Sequence, residues 1–128
     1  MIQFSLLTPN GELYSDQVEE VSAQGSDGVL GILPGHIPLV TALQVAPLRV
    51  RVKDVERRFA VYGGMLQVAP DKVTVLADDA ELPEDIDHQA AQARREALQA
   101  QLQRAEPDER AALERELQAV TVQLEVVQ

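Results

Sequence analysis

Cysteine is absent from the 128 residues, which excludes a disulfide framework, a thiolate metal site and a cysteine nucleophile. Basic residues are scarce: Lys and Arg number 11 against 21 Asp and Glu, a formal charge of −10. Such a chain repels phosphates, so sequence-independent binding to nucleic acid is not expected, and an anionic membrane surface is disfavoured for the same reason. Long apolar runs are missing too. Val29 to Val40 is interrupted by Gly31, Pro34, Gly35, His36 and Pro38, and a bilayer span needs roughly 20 apolar residues. The N-terminus lacks the basic region that opens a secretory signal. The expectation is a chain kept in the cytoplasm or an equivalent compartment. What is present is 45 % hydrophobic and 25 % charged residues, the composition of a globular protein.

The residue pattern changes near Pro83. Before it, Val, Leu, Ile, Gly and Pro dominate; beyond Asp85 glycine is absent and the run is rich in Ala, Gln, Glu, Arg and Leu. The expected division is a β-sandwich domain over 1–84 and a helical hairpin domain over 85–128. In the first part, Ile2, Phe4 and Leu6 alternate with Gln3 and Ser5, and Pro9-Asn10-Gly11 makes a turn. Leu48, Val50 and Val52 alternate with Arg49, Arg51 and Lys53, the pattern of a half-buried strand. Asp54 to Arg57 reads as a charged turn, Phe59 to Tyr62 as the returning strand, and Gly63-Gly64 as its close. Val73 and Val75 follow the turn at Pro70-Asp71-Lys72. Short strands at this spacing predict a sandwich of two antiparallel sheets.

In the second part, Asp85 or Asp87 is placed to cap a first helix, whose Ala91, Leu98, Leu102 and Ala105 share a face. Glu106-Pro107-Asp108 ends that helix and starts another, with Leu113, Leu117, Val120 and Leu124 as its seam. So short a break predicts an antiparallel hairpin. The Ala-rich face buries little, so motion relative to the sandwich is the expectation. The valine-rich end of the second helix is expected to fray when unpacked.

Catalytic constellations are sparse. His36 lies in a turn beside neither a fixed acid nor a nucleophile, and reads better as a turn or contact residue than as a base with Ser26 or Asp27. His88 with Asp85 and Asp87 resembles a solvated helix start more than a metal site. The Gly-rich stretches lack the Lys-Ser/Thr of a phosphate loop. Glu19-Glu20 and Asp78-Asp79 are neighbours in sequence, which places strand side chains on opposite faces rather than across a cleft. No catalytic residue, metal or cofactor is assigned.

One stretch is distinctive. Gly25-Ser26-Asp27-Gly28-Val29-Leu30-Gly31-Ile32-Leu33-Pro34-Gly35-His36-Ile37-Pro38-Leu39 resembles the signature of the epsilon subunits of F-type ATP synthases. Gly63-Gly64-Met65-Leu66-Gln67-Val68 and Val73 to Glu81 are similar to that family's paired last strands. The resemblance covers essentially the whole chain. It implies a non-catalytic rotor part of the central stalk, serving proton-driven ATP synthesis. Its implied partners are the gamma subunit and the membrane c-ring, and transiently the alpha/beta catalytic head. It implies a peripheral membrane location on the cytoplasmic face of a bacterial plasma membrane, in preference to a thylakoid-type one.

Carried over by residue, the resemblance puts Ser26, Asp27 and Val29 at the c-ring, although some relatives have an acid where this chain has Val29. It puts Pro34, Gly35, His36 and Pro38 near gamma. In the hairpin, some relatives bind ATP through an Ile/Leu-Asp-x-x-Arg-Ala motif. Here Ile86, Asp87 and Ala91 remain, but Ala90 replaces the arginine and no basic residue follows Arg115. Losing several charge-assisted bonds to phosphate weakens such binding by orders of magnitude. Arg94, Arg95 and Arg104 are the implied contacts to an acidic loop of the beta subunit, where the hairpin brakes hydrolysis. Pairs such as Glu106 with Arg110 compete for these charges. Two other readings stay open on the residues alone: a stand-alone β-sandwich binding module with a hairpin adaptor, and a hydrolase built on His36.

Overall fold

In the computed structural model, which describes residues 1–128, alternation sends Ile2, Phe4 and Leu6 to one face, where all three are fully buried. They form β1 (Ile2–Thr8), and Pro9-Asn10 turns the chain into β2 (Gly11–Val18). Thr8 Oγ1 fastens that turn, accepting from the Asn10 amide and donating to the Gly11 carbonyl, each at 3.2 Å. Then come β3 (Glu20–Gly25), β4 (Gly28–Ile32), β5 (Leu39–Val52), β6 (Val55–Ala69), β7 (Lys72–Ala77) and the short β8 (Ala80–Glu81). The strand order is β2-β1-β7-β6-β5-β3-β4, with β8 also beside β6. All neighbours are antiparallel except β1 and β7, which run parallel.

The two layers of the sandwich share the long strands β5 and β6. Buried positions show how. In β6, Phe59 and Val61 face the core, then Leu66 and Val68; in β5, Leu43 does, then Leu48 and Val50. The core-facing parity flips in both strands near Gln44 and Gly63. The far halves of the pair join β1, β2 and β7 in one layer, and the hairpin-connected halves join β3, β4 and β8 in the other. Gly63-Gly64 therefore does not close a strand, as the sequence suggested; β6 runs through it. Both glycines have positive φ (84° and 139°), and a Cβ on Gly64 would sit 2.3 Å from the Leu76 carbonyl oxygen. Only glycine lets β7 approach there.

The charged turn also shrinks. Val52 pairs with Val55, leaving Lys53 and Asp54 as a two-residue connection with φ of 50° and 67°. Positive φ at both positions matches the twist of the flanking strands. Glu56 and Arg57 belong to β6 instead. Inside the sandwich, the rings of Phe4, Tyr14 and Phe59 lie 4.7 to 6.2 Å apart and tie the layers together.

A 3₁₀ turn (Pro83–Asp85) leads to α1 (His88–Arg104) and α2 (Pro107–Val126). Asp87, not Asp85, is the cap of α1, its carboxylate accepting from the Ala90 amide at 3.1 Å. Pro107 opens α2, where its missing N–H costs nothing. Ala91 and Leu98 pack with Val120 and Leu124, and Leu113 and Leu117 flank them, closing the hairpin antiparallel. Leu102 and Ala105 are only half-buried. The valine-rich end of α2 lies on the sandwich, where Val122 and Val126 cover Ala60, flanked by Val45, Tyr62 and Ile86. Phe59, Ala60 and Val61 are thus all buried, because β6 is covered on both faces there.

Candidate functional site

Three regions carry exposed or charged chemistry. The first is the loop end of the sandwich. Ser26 and Asp27 form the tip between β3 and β4, both exposed. The Ser26 amide donates to the Ala42 carbonyl at 3.0 Å, which holds the tip beside β5. Val29 follows on edge strand β4 with 71 % of its surface exposed. Pro34, Gly35, His36 and Pro38 lie on the loop from β4 to β5. Gly35, at φ 87°, donates its amide to the Pro70 carbonyl at 2.7 Å, and the His36 amide donates to Leu33 at 3.2 Å. His36 Nδ1 lies 2.7 Å from the Ile37 carbonyl oxygen, so this ring nitrogen is engaged by its own loop and not by Ser26 or Asp27.

These loop residues border an apolar surface that the sequence reading missed. Val29, Leu33, Ile37, Val40, Met65 and Leu76 are all exposed. Strand register sets Ala42, Met65 and Leu76 side by side across β5, β6 and β7. Alternation marks Val40 and Ala42 as one face of β5, and register sets Met65 of β6 beside Ala42, but only the layering shows that face to be uncovered.

The second region is the hairpin. Ile86, Asp87 and Ala91 have structural tasks: Ile86 packs beside Val122 and Val126, Asp87 caps α1, and Ala91 is buried against α2. The backbone amide of Ala90 is the donor to that cap. Arg94 lies 3.7 Å from Glu116 across the hairpin. Arg95 is half-buried on the face toward α2, and its buried Nε has no partner. Arg104 makes no ion pair. The Glu106–Arg110 pairing does not form; Arg110 lies 3.8 Å from Glu114 and donates to the Leu102 carbonyl at 3.0 Å. The carbonyl end of α1 draws it there.

The third region is the seam between sandwich and hairpin. Gln118 donates to the Val45 carbonyl at 3.2 Å and Gln123 to Glu81 Oε1 at 2.7 Å. The same Glu81 oxygen accepts from the Tyr62 hydroxyl. Burial, and then that hydrogen bond, push the Tyr62 phenol well above its ordinary value of 10.0. Glu19 and Glu20 do not diverge as strand neighbours would. Glu19 precedes β3, and both carboxylates meet Arg51, at 2.6 and 3.4 Å. No three His, Asp or Glu side chains gather as a metal-holding group. No helix is long and apolar enough to cross a membrane.

A family model described as the β-sandwich domain of the ATP synthase delta/epsilon chain matches residues 1–83. The ATP synthase epsilon chain of Anoxybacillus flavithermus is 45 % identical over 102 residues, 80 % of this chain and 76 % of that one. That of Brevibacillus brevis is 48 % identical over 98 residues, 76 % and 74 % of the two chains. The chain belongs to the ATP synthase delta/epsilon chain family. As such it is a non-catalytic subunit of ATP synthase, which sets aside the stand-alone module and the hydrolase. The fold of this family recurs in solved structures. A chain of the Euglena gracilis mitochondrial ATP synthase, in a structure of OSCP, F1 and c-ring, superposes with a TM-score of 0.85 at 22 % identity, covering 99 % of this chain and 81 % of that one. A chain from the Tetrahymena thermophila mitochondrial enzyme, in a central stalk and c-ring structure, gives 0.63 at 16 % identity, covering 99 % and 96 %.

Proposed function

We propose that the sandwich, residues 1–84, couples gamma to the c-ring, and that the hairpin, residues 85–128, is a detachable regulator of ATP hydrolysis. The observation that carries the coupling reading is the exposed apolar strip from Leu33 and Ile37 through Val40 to Met65 and Leu76. Water-exposed apolar clusters of this kind mark interaction surfaces. Pro34, Gly35, His36 and Pro38 border the strip and serve the gamma contact. Ser26, Asp27 and Val29 stand at an exposed turn and edge strand, suited to polar loops of a c-ring. Val29 brings no charge to that contact.

The hairpin reading rests on the thin seam described above. Of the three arginines the resemblance implies, Arg104 and the weakly held Arg94 are available to an acidic loop of the beta subunit; Arg95 joins them only after the helices rearrange. Ile86, Asp87 and Ala91 are occupied by packing and capping, and Ala90 offers no guanidinium, so ATP is not the regulator here. Through these partners the chain is peripheral to a membrane, on the cytoplasmic face in a bacterial cell.

The test is a titration of the full chain, and of a chain ending at Asp87, into an alpha–beta–gamma assembly lacking its epsilon subunit. Complex formation is followed by size exclusion and hydrolysis in the same samples. Both chains are expected to bind one per assembly, and the truncated one to leave hydrolysis faster. Failure of both to bind contradicts the coupling role. Equal hydrolysis contradicts the regulatory one.

A further inference from the structure

Arg57 and Arg58 are consecutive on β6, so their side chains leave the strand on opposite faces. Arg57 lies over the rings of Tyr14 and Phe59, 5.2 and 5.6 Å from their centroids, and reaches both carboxylate oxygens of Glu84 at 3.2 Å. It ties the linker to the sandwich. Arg58 leaves on the face that α2 covers. Its Nη1 donates to the carbonyl of Glu125 at 3.2 Å and to that of Gln128 at 3.5 Å, while its Nε is held by Glu56 at 3.0 Å.

The last turn of α2 contains no basic residue. The final carbonyls of a helix have no intrahelical partner and carry partial negative charge, which a cation stabilises. Arg110 performs that service for α1 from within the hairpin, at Leu102. For α2 the cation comes from the sandwich. The end of the helix is therefore completed only while the helix lies on β6.

We propose that Arg58 is the latch of the docked hairpin. Lifting α2 separates Val122 and Val126 from Ala60 and at the same moment uncaps the helix, so docking and helix integrity are lost together. Arg57 keeps the linker in place meanwhile and lets the hairpin swing from Glu84. Where the hairpin regulates hydrolysis, the strength of this latch sets how often it is free, and that consequence rests on the function proposed above.

Full-length chains carrying Arg58→Met, Arg58→Lys or Glu56→Gln are compared by amide hydrogen exchange and then added to the alpha–beta–gamma assembly for hydrolysis. Arg58→Met keeps the apolar stem and removes the cation. It is expected to speed exchange of the Val120–Val126 amides about tenfold, in line with a lost charge-assisted bond at a helix end, and to leave the amides of β1 and β7 unchanged. Arg58→Lys retains a cation and should keep much of the protection. Glu56→Gln removes the ion pair but leaves Arg58 on the helix, so α2 should stay protected. Unchanged exchange in Arg58→Met overturns the latch, as does Glu56→Gln acting as strongly as Arg58→Met. A loosened α2 with unaltered hydrolysis leaves the latch standing and counts against the regulatory reading instead.

Discussion

Eighteen side chains are shielded together inside the sandwich, whereas three, Ala60, Val122 and Val126, are shielded where the hairpin meets it. The sandwich core crosses from layer to layer through Phe4, Tyr14 and Phe59, and contains no buried polar residue. The hairpin is held by two valines over an alanine, two glutamine amides, and an arginine on a helix end. Apolar burial scales with area, so the first region is cohesive and the second is marginal. The function proposed above uses both: a body that transmits torque without yielding and an arm that changes position.

The comparison can be broken or sharpened by substitution. The largest effect is expected from Phe59→Ala, which empties the centre of the sandwich and should lower the unfolding free energy by about 3–5 kcal/mol in denaturant titration. Val122→Ala removes two methyl groups from the seam and should weaken docking by roughly 2 kcal/mol. Its signature is faster amide exchange across α2 with little change in the exchange of β6; a loss spread equally over both would join what the account separates. Asp87→Ala removes the cap of α1 and should cost about 1 kcal/mol, read as fraying of the first helical turn.

The smallest effect is a pH dependence of the linker tie. A backbone hydrogen bond at its own residue, and then Arg57, hold Glu84 below its ordinary value of 4.5. Because the folded-state value is depressed, the tie is fully present above 4.5 and is lost as pH falls through the lowered value. The protection of the Asp85 and Ile86 amides, relative to their intrinsic exchange rates, should therefore fall at acid pH in the native chain, and fall less in Arg57→Met, which keeps the backbone contribution and loses that of the guanidinium.

Much of this comparison is written in the residues. Alternation in Ile2-Phe4-Leu6 and Leu48-Val50-Val52 marks core-facing strands, because burial on one face repeats every second residue. Asp87 and Pro107 mark the helix starts through local rules of capping and of the missing proline N–H. The errors arose where long-range contacts decide. Gly63-Gly64 looks like a strand end in sequence, but it is a strand crossing between layers, and its need for glycine comes from Leu76 on another strand. Glu19 and Glu20 converge on Arg51, which lies more than thirty residues away. Among candidate site residues, the polar tip at Ser26 and Asp27 and the loop at His36 were readable as exposed turns. The apolar strip of Val40, Met65 and Leu76 was not, since a half-buried strand shows the same pattern whichever face is covered. The Arg58 contact was equally hidden, because sequence pattern pairs arginines with nearby acids and says nothing about a helix end 67 residues on.

The most direct test of the division is to unfold a chain ending at Asp87 beside the full-length chain in guanidinium, following the near-ultraviolet signal of the cluster formed by buried Phe4 and Phe59 with half-buried Tyr14. The account expects a single cooperative transition in the truncated chain, with most of the full-length stability retained, since all eighteen core residues lie within residues 2–80. A truncated chain that is unfolded or melts without cooperativity would show that the hairpin is part of the core's support, and the contrast between a cohesive body and a detachable arm would fall.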